Sequence, residues 1–280
     1  MPSFFKKINK GDKNMEISKV DIATLYNLGG VANLTVYKDI DFLDNGKVQN
    51  LPAILIVPGG GYGFVSLREG TPVAAEFLAK GFVPFILTYS VREEDCYPQQ
   101  LNELAASVDY IRKNAYEFGI NPDKIYLIGF SAGGHLVANL GVEYPSLTNY
   151  DAKPNGVCLS YPVISADYGV SGNTYINLLS KYSGEEKELL LKKLSFTHSD
   201  LSLFPPAFIW TTATDSCVMS QNSLVFASKL VEANRKCELH MYPVGRHGLS
   251  VANTIVNEEL DYLPTVRGWV ELCINFFKSL

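Results

Sequence analysis

Short apolar runs recur along this chain, separated by segments whose apolar residues return every third or fourth position. Residues 53–57 and 83–87 are almost continuously hydrophobic, the pattern of strands buried on both faces of a parallel sheet. Residues 124–128, 157–159, 207–211 and 238–242 predict four more such strands. Residues 33–38 instead alternate apolar and polar side chains and predict a hairpin strand at a sheet edge. Between the runs, Leu101, Leu104, Ala105, Val108 and Ile111 share one helical face, and residues 74–80, 220–233 and 266–277 behave similarly. Strand and helix in alternation, joined by right-handed crossovers, predict an α/β fold with a mostly parallel central sheet covered by helices on both faces.

One segment breaks the rhythm. Residues 168–199 hold no strand pattern, and 175–179 and 185–193 read as two short helices inserted between strands. They form either a partial cap over a site or an ordinary surface excursion. No repeat, low-complexity tract or linker divides the chain, so residues 1–280 are expected to form a single domain.

The densest chemical signal lies where the strand at 124–128 runs into a helical stretch. Ile128-Gly-Phe-Ser-Ala-Gly-Gly134 places Ser131 at that corner, with Gly129 and Gly133 two residues to either side. A serine on so tight a strand-to-helix turn is held in a strained conformation with its hydroxyl lifted clear of the sheet. Ser131 is therefore the candidate nucleophile. Carbonyl attack by a serine builds negative charge on an oxygen, which preorganised backbone N–H groups must meet. The strand at 53–57 leads into Pro58-Gly-Gly-Gly-Tyr-Gly63, where glycines allow close backbone approach. Gly60 and Gly61, with the N–H of Ala132, form the candidate oxyanion hole. A phosphate loop does not fit, because Phe64 and Ser66 stand where its third glycine would fall and no Gly-Lys-Ser/Thr follows.

A general base must come from His135, His198, His240 or His247. His135 sits one turn into the helix that follows Ser131 and is poorly placed to turn back. His240 lies inside a strand pattern, and His198 in a polar stretch before Pro205-Pro206. His247 follows the last predicted strand, at the carboxyl end where open α/β sheets place their chemistry. Asp215 follows the strand at 207–211 in the same way and is the candidate orienting acid. Asp200 precedes that strand, and Asp167 is a lesser rival after an earlier one. The chain order Ser131, Asp215, His247 is that of α/β-hydrolases. Tyr62 and Phe64, and further off Tyr89, Tyr97 and Tyr161, are candidates to line an aromatic substrate pocket.

Together, Pro58-Gly-Gly-Gly-Tyr62, Gly129-Phe-Ser-Ala-Gly-Gly134, Trp210-Thr-Thr-Ala-Thr-Asp215 and His247-Gly248 resemble the α/β-hydrolase superfamily. The resemblance runs from about Asn33 onward. Within the superfamily the chain is similar to the bacterial esterase group with acetyl-xylan esterase-like and hormone-sensitive-lipase-like members. Pro58 stands where many of the latter carry histidine, which suits the acetyl-xylan esterase-like branch. The resemblance implies hydrolysis of short-chain acyl esters, often acetyl groups on carbohydrate, by a Ser-His-Asp acyl-enzyme mechanism needing no metal or organic cofactor. An amidase, formamidase or peptidase on the same scaffold, or a binding module without activity, are the competing expectations.

Bulk properties narrow the partners. A formal charge of −5 over 280 residues supplies no basic footprint for nucleic acid or anionic membrane. No apolar run approaches a membrane span, and residues 1–16 lack the apolar core of an export signal. The five cysteines are odd in number and never spaced Cys-x-x-Cys, as expected of reduced thiols in a cytoplasmic protein. A small-molecule ester is the expected partner, an acetylated oligosaccharide sooner than polymeric xylan.

Overall fold

The computed structural model describes residues 16–38, 50–92, 95–170 and 173–280; the start of the chain, read above for an export signal, lies outside them up to residue 15. Eight strands form one sheet: β1 (Glu16–Asp21), β2 (Asn33–Lys38), β3 (Leu51–Val57), β4 (Val83–Thr88), β5 (Ile120–Phe130), β6 (Gly156–Ser160), β7 (Ala207–Thr212) and β8 (Cys237–Tyr242). Their spatial order is β1-β2-β4-β3-β5-β6-β7-β8. From β4 to β8 every neighbouring pair is parallel, whereas β2 runs antiparallel to both β1 and β4.

The expected edge strand at 33–38 is therefore not the edge. It is covered by β1, whose sequence Glu-Ile-Ser-Lys-Val-Asp has only two apolar residues and stays half exposed along its length. A strand with so little to bury leaves a faint hydrophobic signature.

Ten helices complete the described fold: α1 (Ile22–Leu25), α2 (Thr71–Leu78), α3 (Gln99–Lys113), α4 (Ala115–Phe118), α5 (Ala132–Glu143), α6 (Thr174–Leu178), α7 (Gly184–Lys193), α8 (Gln221–Glu232), α9 (Leu263–Arg267) and α10 (Trp269–Lys278). The helix predicted over 266–277 is split, because α9 and α10 meet at Gly268. Alternation along each strand divides the core in two. Leu55, Leu127, Leu159 and Ile209 face a layer holding Leu104 of α3, Leu136 of α5 and Phe226 of α8. Ile56, Ile128, Cys158 and Trp210 face the opposite layer, with Phe77 of α2 and Trp269 of α10. Trp210 and Trp269 stack with ring centroids 5.1 Å apart. The predicted mostly parallel sheet with helices on both faces is borne out.

Segment 161–206, between β6 and β7, carries α6 and α7. Leu178, Leu179, Leu194 and Phe196 root it in the core, while no residue of α7 is buried. No disulfide links the five cysteines, and Cys96, Cys158 and Cys273 are buried. Among the described residues, no helix is long and apolar enough to cross a membrane.

Candidate active site

The parallel strands all end on one side of the sheet, and four of those ends supply the site: β3 the glycine loop, β5 Ser131, β7 Asp215 and β8 His247. Ser131 has φ 53° and ψ −117°, a conformation L-residues rarely adopt. Its N–H donates to the Ser160 carbonyl (3.0 Å), and its own carbonyl accepts from Val163 and His135 (3.2 and 3.0 Å). This backbone pinning holds the strained turn. Gly133 is required by proximity: a Cβ there would stand 2.1 Å from the Val57 carbonyl oxygen.

His247 Nε2 lies 2.8 Å from Ser131 Oγ, and its Nδ1 lies 2.7 Å from Asp215 Oδ2. Because the carboxylate can only accept, Nδ1 carries the ring proton and Nε2 is left bare to accept from the serine hydroxyl. The Asp215 side chain is fully buried, and its Oδ1 accepts the N–H groups of Cys217 and Val218, each at 2.9 Å. Its Oδ2 meets the imidazole while its Oδ1 is held by the backbone.

The glycine loop is shaped by bonds to its carbonyls. Gly59 O accepts from Ser66 N–H (2.9 Å), and Gly60 O accepts from Gly63 and Phe64 N–H (3.0 and 3.3 Å). In a trans peptide the C=O and the following N–H point in opposite directions, so the N–H groups of Gly60 and Gly61 face away from the loop interior. No hydrogen bond among the described residues engages either of them. Gly60 has φ 128°, and a Cβ there would fall 1.9 Å from the Phe64 carbonyl oxygen. Ala132 is the first residue of α5, where helix geometry leaves its N–H without an intrahelical partner. The three N–H groups expected for an oxyanion thus carry no hydrogen bond among the described residues.

Ser131, His247, Gly60 and Gly61 border a cavity of about 550 Å3 lined also by Phe64, Ser66, Arg68, Asn173, Thr174, Asn177 and Cys217, among others. Asn173, Thr174 and Asn177 come from the segment between β6 and β7, and Asn177 Nδ2 donates to the Gly61 carbonyl at 2.8 Å. Arg68 lies at the mouth with its guanidinium on the Gly248 carbonyl.

Phe64 is well exposed in this cavity. Tyr62, expected beside it as a pocket residue, is not: it is 1% exposed, and its hydroxyl donates to His135 Nδ1 at 2.9 Å. Its φ of 56° turns the side chain off the loop into the core. Tyr89, Tyr97 and Tyr161 are likewise buried and absent from the lining. Tyr89 donates to the Pro58 carbonyl (2.7 Å) and Tyr161 to Glu69 (2.7 Å). Burial drives the Tyr62, Tyr89 and Tyr161 hydroxyls well above the ordinary phenol range.

The other histidines stand elsewhere. His135 is wholly buried between Tyr62 and the Leu194 carbonyl, and that burial lowers its pKa to about 4. His198 pairs with exposed Asp167 (2.7 Å), whose carboxyl that bond holds below its usual range. His240 pairs with Glu238 on β8 (2.7 Å). Asp200 is exposed, bonded to Ser202 N–H. Among the described residues no group of three or more His, Cys, Asp or Glu is placed to hold a metal.

Two polar groups in the site's walls carry no sequence signature. Glu69 is 4% exposed although it stands in a charged, glycine-flanked stretch, and Asn177 is one of many polar residues in the inserted segment.

Strand order, the turn at Ser131 and the placement of all four loops at one sheet edge define an α/β-hydrolase. The chain belongs to the BD-FAE family, whose sequence profile matches residues 39–230. It is 34% identical over 235 residues to endo-1,4-beta-xylanase B of Butyrivibrio fibrisolvens, covering 80% of this chain and 36% of that protein. It is 32% identical over 221 residues to the acetylxylan esterase of Xylanibacter ruminicola, covering 75% of this chain and 45% of that protein. The chain thus spans less than half the length of either curated relative. The acetyl ester-xyloside bifunctional hydrolase of Caldicellulosiruptor lactoaceticus superposes with a TM-score of 0.75 at 31% identity, covering 89% of this chain and 88% of that one.

Proposed function

We propose that the protein is a serine esterase that removes short acyl groups, acetyl foremost, from sugar or oligosaccharide alcohols. The observation that carries this reading is the continuous line Ser131 Oγ, His247 Nε2 at 2.8 Å, and His247 Nδ1, Asp215 Oδ2 at 2.7 Å, with Ser131 and His247 on a cavity also lined by Gly60 and Gly61.

In the first step Ser131 Oγ attacks the ester carbonyl while His247 Nε2 takes its proton. The carbonyl oxygen becomes an oxyanion within reach of the N–H groups of Gly60, Gly61 and Ala132, each such donor contributing about 3 kcal/mol to the transition state. Asp215 keeps the imidazole in the tautomer that can accept and stabilises the cation that forms. His247 then returns the proton to the departing alcohol. Water, deprotonated by the same nitrogen, releases the acid from Ser131.

Two features favour a sugar alcohol. The cavity offers hydroxyl-compatible groups on Ser66, Arg68, Asn173 and Thr174, and its volume of about 550 Å3 is that of a small-ligand site. Helix α6, which carries Thr174 and Asn177, then acts as a partial cap. The relatives' names point the same way, since an acetylxylan esterase and an acetyl ester-xyloside hydrolase are among them.

The test is a hydrolysis screen over p-nitrophenyl esters of increasing acyl length, acetylated xylo-oligosaccharides and matched amides, with Ser131→Ala as the blank. Preference for acetyl esters on sugars supports the reading. Turnover of amides alone, or activity surviving in Ser131→Ala, would overturn it.

A further inference from the structure

One buried carboxylate touches neither Ser131 nor His247, yet it joins the loops that carry the base and the oxyanion donors. Glu69 follows the glycine loop and is 4% exposed. Its Oε2 accepts the N–H of Gly59 at 2.8 Å, the residue immediately before Gly60. Its Oε1 accepts the hydroxyl of Tyr161 at 2.7 Å. That hydroxyl in turn accepts the N–H of Ser250 at 2.9 Å, three residues beyond His247. The Tyr161 ring meets the His247 ring edge to face, with centroids 4.9 Å apart. Ser250 is itself held at φ 53°, with its hydroxyl on the Arg68 carbonyl at 2.6 Å.

Every proton in this chain of bonds points toward the carboxylate: Ser250 N–H to Tyr161 O, Tyr161 O–H to Glu69, and Gly59 N–H to Glu69. Only an acceptor with no proton of its own can terminate such a line from both sides. We infer that Glu69, acting through Gly59 on one side and Tyr161 on the other, is the positioning residue that fixes the oxyanion donors relative to His247. This inference rests on the esterase reading. It adds a residue that touches no reacting atom but sets the distance between two groups that do.

The geometry explains why a neutral isostere cannot substitute. A glutamine amide has one oxygen, so either Gly59 N–H or the Tyr161 proton would face an NH2 group. Buried donors facing donors are relieved by movement, and here movement displaces either the Gly60 N–H or the wall beside His247. Oxyanion donors act only on the transition state, so the loss falls on turnover rather than on substrate affinity.

The experiment compares wild type, Glu69→Gln and Tyr161→Phe with p-nitrophenyl acetate as substrate and phenylboronic acid as the tetrahedral adduct former. Fluorophosphonate labelling of Ser131 counts competent sites, and thermal melts check folding. The expected result is about 100-fold lower kcat for Glu69→Gln and about 10-fold lower for Tyr161→Phe, with KM within about threefold of wild type and boronate affinity reduced in step with kcat. A folded Glu69→Gln protein with lowered melting temperature but wild-type kcat and boronate affinity would show a merely structural carboxylate and overturn the inference. Should Glu69→Gln not fold, Tyr161→Phe decides, and an unchanged kcat there overturns it as well. A wild type that neither labels nor hydrolyses ester overturns the esterase reading together with this one, so the two failures are told apart.

Discussion

Asp215 meets His247 through one oxygen only, Oδ2 to Nδ1 at 2.7 Å, while its other oxygen is held by two backbone N–H groups. That division fixes what an amide in its place would do. In Asp215→Asn the oxygen stays with the N–H groups of Cys217 and Val218, and the NH2 faces His247. The imidazole must then present a bare Nδ1, which moves its proton to Nε2 and leaves Ser131 without an acceptor. Turnover of p-nitrophenyl acetate is expected to fall by about 10^4 with little change in melting temperature. A loss below tenfold would show that Asp215 does not set the tautomer.

Ser131→Ala keeps the Cβ and the backbone bonds that hold the turn and deletes only the oxygen. Ester hydrolysis is expected to fall by a factor of about 10^6, to the background of binding alone. Labelling by fluorophosphonate should disappear, while the melting temperature stays within about 2 °C of wild type. Stoichiometric labelling of the Ser131→Ala protein would show that the nucleophile lies elsewhere.

Tyr62 and Phe64 are two residues apart in the same loop, yet their substitutions should separate cleanly. Tyr62→Phe leaves His135 Nδ1 without its donor in a dry interior and is expected to cost about 1–3 kcal/mol of stability, with KM unchanged. Phe64→Ala removes an exposed ring from the cavity and should alter KM or acyl preference without lowering the melting temperature. Denaturant melts and initial rates on the same preparations check both, and a stable Tyr62→Phe protein with raised KM would reverse the assignment.

His135 makes stability depend on pH. Burial lowers its folded pKa to about 4 from an ordinary 6.5. Between those values the unfolded chain binds a proton that the folded chain refuses, so acidification favours unfolding. Stability is fully present above about 6.5 and declines toward 4, by about 3 kcal/mol if the whole gap is expressed. His135→Gln, which cannot titrate, should start lower and show a shallower decline across that window. Melting curves from pH 7 to pH 4 measure the difference, and parallel declines would acquit His135.

How much of this was legible in sequence follows from what each residue must do alone. Ser131, Asp215 and His247 stand at the ends of strands that announce themselves by continuous apolar runs, so strand position and residue type sufficed to single them out. Strand β1 escaped notice because Ile17 and Val20 are its only apolar side chains. Tyr62 misled because a tyrosine in a glycine loop reads equally as pocket or core, and only the backbone angle decides. Glu69 was invisible for a different reason: a glutamate beside an arginine reads as solvated surface unless the partners of its carboxylate, here Gly59 and Tyr161, are known in space.

Asn177 has a consequence of its own. The described residues of 161–206 contribute no strand to the sheet, and no residue of α7 is fully buried, yet the Asn177 amide reaches down to the Gly61 carbonyl. The proposed catalytic groups stand at strand ends, whereas Asn173, Thr174 and Asn177 of the cavity wall are carried on a segment rooted in the core by Leu178, Leu179, Leu194 and Phe196. The residues that meet a bound alcohol can therefore be exchanged with little disturbance to the strand ends, while the Asn177 amide and the Tyr161 hydroxyl tie the two parts together.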